Sequence, residues 1–398
     1  MDPALQPGYG LTVYETILQI QGLAKIVEGG DENRGMPFGP ESSDVCRSAT
    51  RRPSATRRPS AVRLPLGTES RQADAMNGSG FTHHTYYSSG HRIHAVEAGS
   101  GPLVVLVHGF PESWYSWRHQ LQPLADAGYR AVALDVRGYG RSTAPASIEA
   151  YSMTALVGDL VAVIDAISPE PAVVVGHDWG APIAWNTALL RPDRVRAVAG
   201  LSVPYNPRGD TPPLEQMRAL AGEDLFYIDY FQTPGVAESE AEADLESWLK
   251  GFYFTASAEA DHTLPTMGIV PRGHQLRERL QFPAEGQMAW LSADDLAFYV
   301  NEFERTGLTG GFNRYRNITR DWTELAPWRF APITQPSLFI GGDRDGPTQL
   351  GRAAIERFDR NLPGLKRSEI LADCGHWVQQ EKPSETNEIL IDFLNGLS

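Results

Sequence analysis

Residues 176–180 read GHDWG and set an acidic side chain, Asp178, at the apex of a predicted strand, sharp turn and helix. The apolar run 172–175 supplies the strand and the amphipathic stretch 181–190 the helix. A turn of this kind commonly presents a serine nucleophile, and here it presents a carboxylate. Gly176 and Gly180 suit it, because backbone and helix approach too closely there for a Cβ. The exchange decides the chemistry. Serine attacking an alkyl carbon would leave a stable ether, whereas a carboxylate leaves an ester that water can still cleave. The motif therefore predicts substitution at carbon followed by ester hydrolysis.

Hydrolysis of such an ester needs a base, and His376, in a Gly375-His376 turn after a late predicted strand, is the best-placed candidate. Between Asp178 and His376 lies GGDRDG, just after the predicted strand 337–340, so the chain order is nucleophile, acid, histidine. Either Asp345 or Asp343 could orient the imidazole and stabilise its charged form. Taken singly, a loop histidine is more often a hydrogen-bonded surface group, and Asp before Gly is usually a turn residue. Three in the right order, each just after a predicted strand, argue for a triad. The oxyanion of ester hydrolysis also requires fixed N–H donors. Trp179, following the nucleophile, offers one, and Phe110 in HGFP, after the predicted strand 103–107, offers the other. Gly109 would permit close approach there, and Pro111 would fix the turn, a cis bond being one way to do so.

These groups need a frame. Apolar runs at 103–107, 131–135, 172–176 and 195–203 alternate with helical stretches, which argues for a mostly parallel sheet covered by helices on both faces. After Pro204 the rhythm breaks for a long stretch rich in aromatics and helix formers, with no comparable strand, and it resumes at Pro336. One α/β unit, 76–205 and 331–398, with a helical cap, 206–330, inserted after the sixth strand explains this better than two consecutive domains. The cap would cover the carboxyl ends of the strands, where open α/β sheets bind ligands. Residues 1–75 differ: 49–61 is a tandem six-residue repeat of Arg, Pro, Ser, Ala and Thr with no apolar face, read as a disordered, basic, low-complexity extension. Met76 stands directly before the first alternating, strand-like sequence and is a candidate start of the folded protein.

HGFPESWYSWRHQ, DVRGYGRS, GHDWG, YFQTPGVAE, GGFNRYRN and DCGHW together resemble the soluble epoxide hydrolases of the α/β-hydrolase superfamily, in register from about Phe81 to Phe393. The resemblance implies Asp178 as nucleophile, His376 as general base and Asp345, the second aspartate of GGDRD, as its acid partner. It also implies two cap tyrosines that hold the epoxide oxygen, Tyr315 in NRYRN and Tyr227 in FYIDYFQ, with Tyr230 the neighbouring alternative. A phenol, with a pKa of about 10, is a sensible donor to a developing alkoxide. Glu112 corresponds to a position that orients the hydrolytic water in some relatives, while His108 should brace its loop and His177 point into the fold.

The expected product is a vicinal diol, made without metal or organic cofactor; no clustered His/Cys ligand set and no phosphate-cradling loop is evident. A haloalkane dehalogenase would share Asp-Trp at the elbow but needs further side-chain N–H donors for a halide, where this chain has Phe110. An arginine after the nucleophile, expected for a fluoroacetate-type dehalogenase, is replaced by Trp179. A noncatalytic binding protein on the same fold is disfavoured by the intact constellation. The formal charge of -14 disfavours nucleic acid and anionic membrane as partners, and no apolar run approaches a membrane span. With two cysteines, Cys46 and Cys374, no disulfide framework is expected and a reducing, cytoplasmic setting is the default. The expected partner is a small-molecule epoxide, and a homodimer is left open.

Overall fold

Alternation within short apolar runs builds the centre of the molecule. In β3 (Leu103–Val107) every residue is buried, because successive side chains enter opposite layers. Leu103, Val105 and Val107 join one apolar cluster with the helices Met153–Ile167 and Gly180–Leu190. Val104 and Leu106 join another with Leu121 and Leu124 of Arg118–Asp126 and with Leu390 and Phe393 of Pro383–Asn395. Each fully buried Val or Leu contributes roughly 1.5–3 kcal/mol of transfer free energy, so the two layers are what hold the sheet. The computed structural model of the protein describes residues 80–397 apart from Thr266 and Glu285. The expectations for the basic repeat, Met76 and Cys46 therefore fall outside the described residues.

The other strands are β1 (Thr82–Ser88), β2 (His91–Ala98), β4 (Arg130–Leu134), β5 (Ala172–His177), β6 (Val195–Leu201), β7 (Leu225–Phe226), β8 (Ile269–Val270), β9 (Ser337–Gly342) and β10 (Leu365–Leu371). Eight of them form one sheet in the order β1-β2-β4-β3-β5-β6-β9-β10. Only the pairings of β2 with β1 and β4 are antiparallel; from β4 to β10 the sheet is parallel. The carboxyl ends of β3, β5, β6 and β9 consequently share one edge. The loops that follow them carry Phe110, Asp178, Ser202 and Asp345, brought together from positions far apart in sequence.

Between β6 and β9 the chain is mainly helical, including Pro213–Ala221, Leu245–Ala256, Ala293–Thr306, Thr309–Tyr315 and Ile318–Glu324. The antiparallel ribbon β7-β8 also lies in this stretch, where the sequence suggested no strand; two residues per strand are too few to register as an alternating pattern. The apolar interior of this insertion, with Phe231, Trp248, Phe252 and Phe312, is continuous with Phe110 and Trp377 from loops of the sheet. Among the described residues no helix is long and apolar enough to cross a membrane.

The turn after β5 is sterically exacting. Asp178 has φ 48°, a left-handed backbone that costs a non-glycine residue on the order of 1 kcal/mol or more. A Cβ on Gly176 would lie 2.0 Å from Gly180 O, and one on Gly180 would lie 2.0 Å from Val107 O. Both obstacles are backbone that cannot swing aside. Gly180→Ala is therefore expected to destabilise the fold by at least the roughly 3 kcal/mol at the upper end of overpacking costs. Urea unfolding measures this, and a loss under about 1 kcal/mol would show that β3 can yield.

Candidate active site

Asp178 leaves β5 at the start of the Gly180–Leu190 helix, and its Oδ1 accepts a 2.7 Å hydrogen bond from the Phe110 N–H. Trp179 follows directly at the helix N-terminus, whose first-turn N–H groups and positive dipole end favour negative charge. The Phe110-Pro111 bond is cis. Gly109 is required beside it, since a Cβ there would lie 2.3 Å from Asp178 Oδ1.

His376 sits across from Asp178, with Nε2 3.6 Å from Asp178 Oδ2 and Nδ1 2.9 Å from Asp345 Oδ1. Asp345 is fully buried, and its Oδ2 accepts from the Thr348 hydroxyl at 2.6 Å. Asp343, the other candidate, is exposed and accepts from the Cys374 N–H instead. Burial works against a charged imidazole, but Asp345 and Asp178 on its two sides outweigh it and hold the His376 pKa well above the ordinary value. Cys374, two residues before His376, is buried and free.

A cavity of about 130 Å³ opens over these groups, lined by Asp178, His376, Asp345, Phe110, Tyr227 and Tyr315, with His262, Met267, Arg344 and Leu350 among its further walls. The rings of Tyr227 and Tyr315 lie edge to face, 6.1 Å between centroids. Burial, reinforced by the charge of Asp178, raises both phenol pKa values well above their ordinary position. Both hydroxyls thus remain protonated donors throughout the neutral range. Tyr230 does not line this cavity: its hydroxyl donates to Glu240 at 2.5 Å inside the insertion.

The sequence model of the α/β hydrolase fold family matches residues 102–383. Epoxide hydrolase B of Mycobacterium tuberculosis is 44% identical over 344 residues, covering 77% of this chain and 96% of its own, and epoxide hydrolase A of that organism is 44% identical with 78% and 96% covered. Among solved structures, an epoxide hydrolase from an endophytic Streptomyces superposes with a TM-score of 0.78 at 53% identity, covering 80% of this chain and 96% of its own. Epoxide hydrolase A from Mycobacterium thermoresistibile gives 0.75 at 47% identity, with 80% and 99% covered. The chain belongs to the epoxide hydrolase family of the α/β-hydrolase superfamily. In this family member the sequence motifs for nucleophile, histidine, acid and both tyrosines converge on one cavity.

Glu112, expected to help position water, is set apart from these groups. It is fully buried and absent from the cavity lining. Its Oε2 accepts from the Gly109 N–H at 2.8 Å and faces His177 Nδ1 at 2.8 Å, while Oε1 accepts from the Gln379 and Gln380 amides. The HGFP turn folds back so that the side chain three residues on caps Gly109, leaving the carboxylate beneath the loop as a brace. His177 is likewise turned inward, with Nε2 2.7 Å from His376 O. His108 Nε2 accepts from the Val136 N–H, so Nδ1 carries the proton and donates to Gly109 O.

This epoxide hydrolase also contains supports that the sequence did not single out. Ser202, fully buried with φ 69°, places Oγ 2.9 Å from His376 Nδ1. Its position just past β6, on the same sheet edge as Asp178, is a usable signal. Glu381 accepts from the Gly375, Trp377 and Ala258 N–H groups and thereby straddles the histidine turn. Burial raises its pKa although these donors pull the other way, and no local motif marks the residue in advance.

Proposed function

We propose that this protein hydrolyses epoxides to vicinal diols through a covalent ester on Asp178. The observation that carries the reading is Asp178 held between the Phe110 N–H and His376, facing Tyr227 and Tyr315 across one cavity. In the proposed cycle an Asp178 oxygen attacks a ring carbon as that carbon's bond to the ring oxygen breaks. The freed oxygen takes a proton from a tyrosine hydroxyl. Esterification removes the charge of Asp178, one of the two carboxylates that raise the His376 pKa, so the imidazolium becomes more acidic and its proton can return to the phenolate. Neutral His376, oriented by Asp345, then takes a proton from water as the hydroxide adds to the ester carbonyl. The Phe110 and Trp179 N–H groups would hold the oxyanion until it collapses to carboxylate and diol. We read 206–330 as the cap that carries the tyrosines and 76–205 with 331–398 as the hydrolase core.

This order of charges has a pH consequence. Ester hydrolysis should rise with pH as His376 loses its proton in the ester form, at a lower pH than in the free enzyme, where Asp178 is still charged. Single-turnover hydrolysis rates against pH, compared with the NMR titration of His376 in the resting protein, measure the two midpoints. Coincident midpoints would remove Asp178 as the controlling charge.

The function is tested by incubation with aryl and alkyl epoxides and, separately, haloalkanes. Diol without halide release is expected; halide release without diol would make the protein a dehalogenase. Single turnover of a protein pre-labelled with heavy oxygen at Asp178 should transfer label to the diol, and a diol free of that label would exclude the ester.

A further inference from the structure

The helix Thr309–Tyr315 carries Tyr315 to the cavity, and its seating on the core is unusually close. A Cβ on Gly310 would come within 2.8 Å of Gly138 Cα, and one on Gly311 within 2.6 Å of the Phe110 ring. Beside Tyr315 on this helix, Arg314 is only 3% exposed. Its guanidinium does three things at once. One end donates to Tyr151 O, the other to Asp321 Oδ2, and its flat face lies 4.7 Å from the centre of the Trp179 ring. Asp321 in turn accepts at 2.7 Å from the N–H of Met153, the first residue of a core helix. The Trp179 ring meets Tyr315 edge to face at 5.2 Å. Burial lowers the Arg314 pKa to about 9, which leaves it cationic at neutral pH. Its Nε has no hydrogen-bond partner among the described residues, so the two terminal nitrogens carry its engagement, and a cation buried at this cost and paired with Asp321 is spent on geometry.

We propose that Arg314 is a positioning residue for ring opening, locking Tyr315 and the Trp179 ring into register above Asp178. The inference rests on the reading of Tyr315 as a donor to the epoxide oxygen. A lysine keeps the charge but has neither the planar fork that reaches both Tyr151 O and Asp321 nor the flat face that covers Trp179. An apolar side chain would fill the volume and leave the Tyr151 carbonyl and Asp321 short of a donor.

The test is a double-mutant cycle on ring opening, followed by rapid quench in single turnover, with ester hydrolysis measured in the same runs and folding checked by thermal melting. Arg314→Lys is expected to slow ring opening between about ten- and a hundredfold, the scale of a displaced catalytic group. In a Tyr315→Phe background the same change should slow it less than about twofold further, since both substitutions remove one interaction. Ester hydrolysis should hold its wild-type rate. Asp321→Asn, which releases the guanidinium while leaving the residue beside Tyr315 intact, should repeat the pattern and serves if the lysine variant does not fold. Equal slowing by the Arg314 change in both backgrounds, equal slowing of ester hydrolysis, or no slowing overturns the assignment of Arg314 alone. If Tyr315→Phe by itself leaves ring opening unchanged, the donor role of Tyr315 falls first and this inference with it.

Discussion

His376→Gln is expected to stop the protein at the ester. In the proposed cycle ring opening needs Asp178 and the tyrosines, all retained in the variant, so a burst of one epoxide consumed per protein should precede a steady rate lowered by about 10²–10⁴, the usual contribution of a positioned base. Intact-mass spectrometry should then find the chain heavier by the mass of one epoxide. Glutamine preserves much of the side-chain volume and can still hydrogen-bond Asp345 or Ser202, so the loop held by Glu381 should keep its shape. Unchanged turnover would remove His376 from the base role, and failure to collect any adduct would argue that hydrolysis is not the step it serves. Asp178→Ala supplies the complement, a protein that neither consumes epoxide nor gains mass.

The second large effect falls on the other half-reaction. Tyr227→Phe and Tyr315→Phe should each slow ring opening by one to two orders of magnitude, and the double variant should lose the roughly 10²–10⁴ expected of acid assistance as a whole. Hydrolysis of preformed ester should be unaffected, because the donors proposed for the oxyanion of that step are the Phe110 and Trp179 N–H groups. Rapid-quench measurement of both phases decides the matter. A double variant that opens the ring at the wild-type rate would leave the epoxide oxygen without its proposed donors. Tyr230→Phe makes the contrast: its hydroxyl serves buried Glu240, so its loss should cost about 1–3 kcal/mol of stability with the ring-opening rate preserved.

The sheet was largely legible because its strands are short, apolar and bounded by turns, and because two covered faces leave a parallel strand with no polar side. The β7-β8 ribbon was not, since two residues carry no period. The inward turn of Glu112 was also hidden, as a carboxylate next to HGFP looks the same in sequence whether it faces the cavity or caps Gly109 from below. Glu381 holds the His376 turn without any motif to mark it, a kind of support that no local pattern reports, whereas Ser202 is marked only by its place just past β6.

What the sequence determined by itself was chemical type and order: a carboxylate on a glycine-bounded turn after an apolar strand, an acid and a histidine after later strands, and phenols in an inserted helical stretch. Those are properties of residue identity and of the period of burial. Which of two near neighbours faces the cavity was decided only by tertiary structure. Asp343 and Asp345 share one loop, yet only Asp345 is buried against His376; Tyr227 and Tyr230 share one helical turn, yet Tyr227 meets Tyr315 while Tyr230 meets Glu240. The physical reason is that direction in a loop or single turn changes with every residue, and it is set by the packed surfaces on either side rather than by the residue itself.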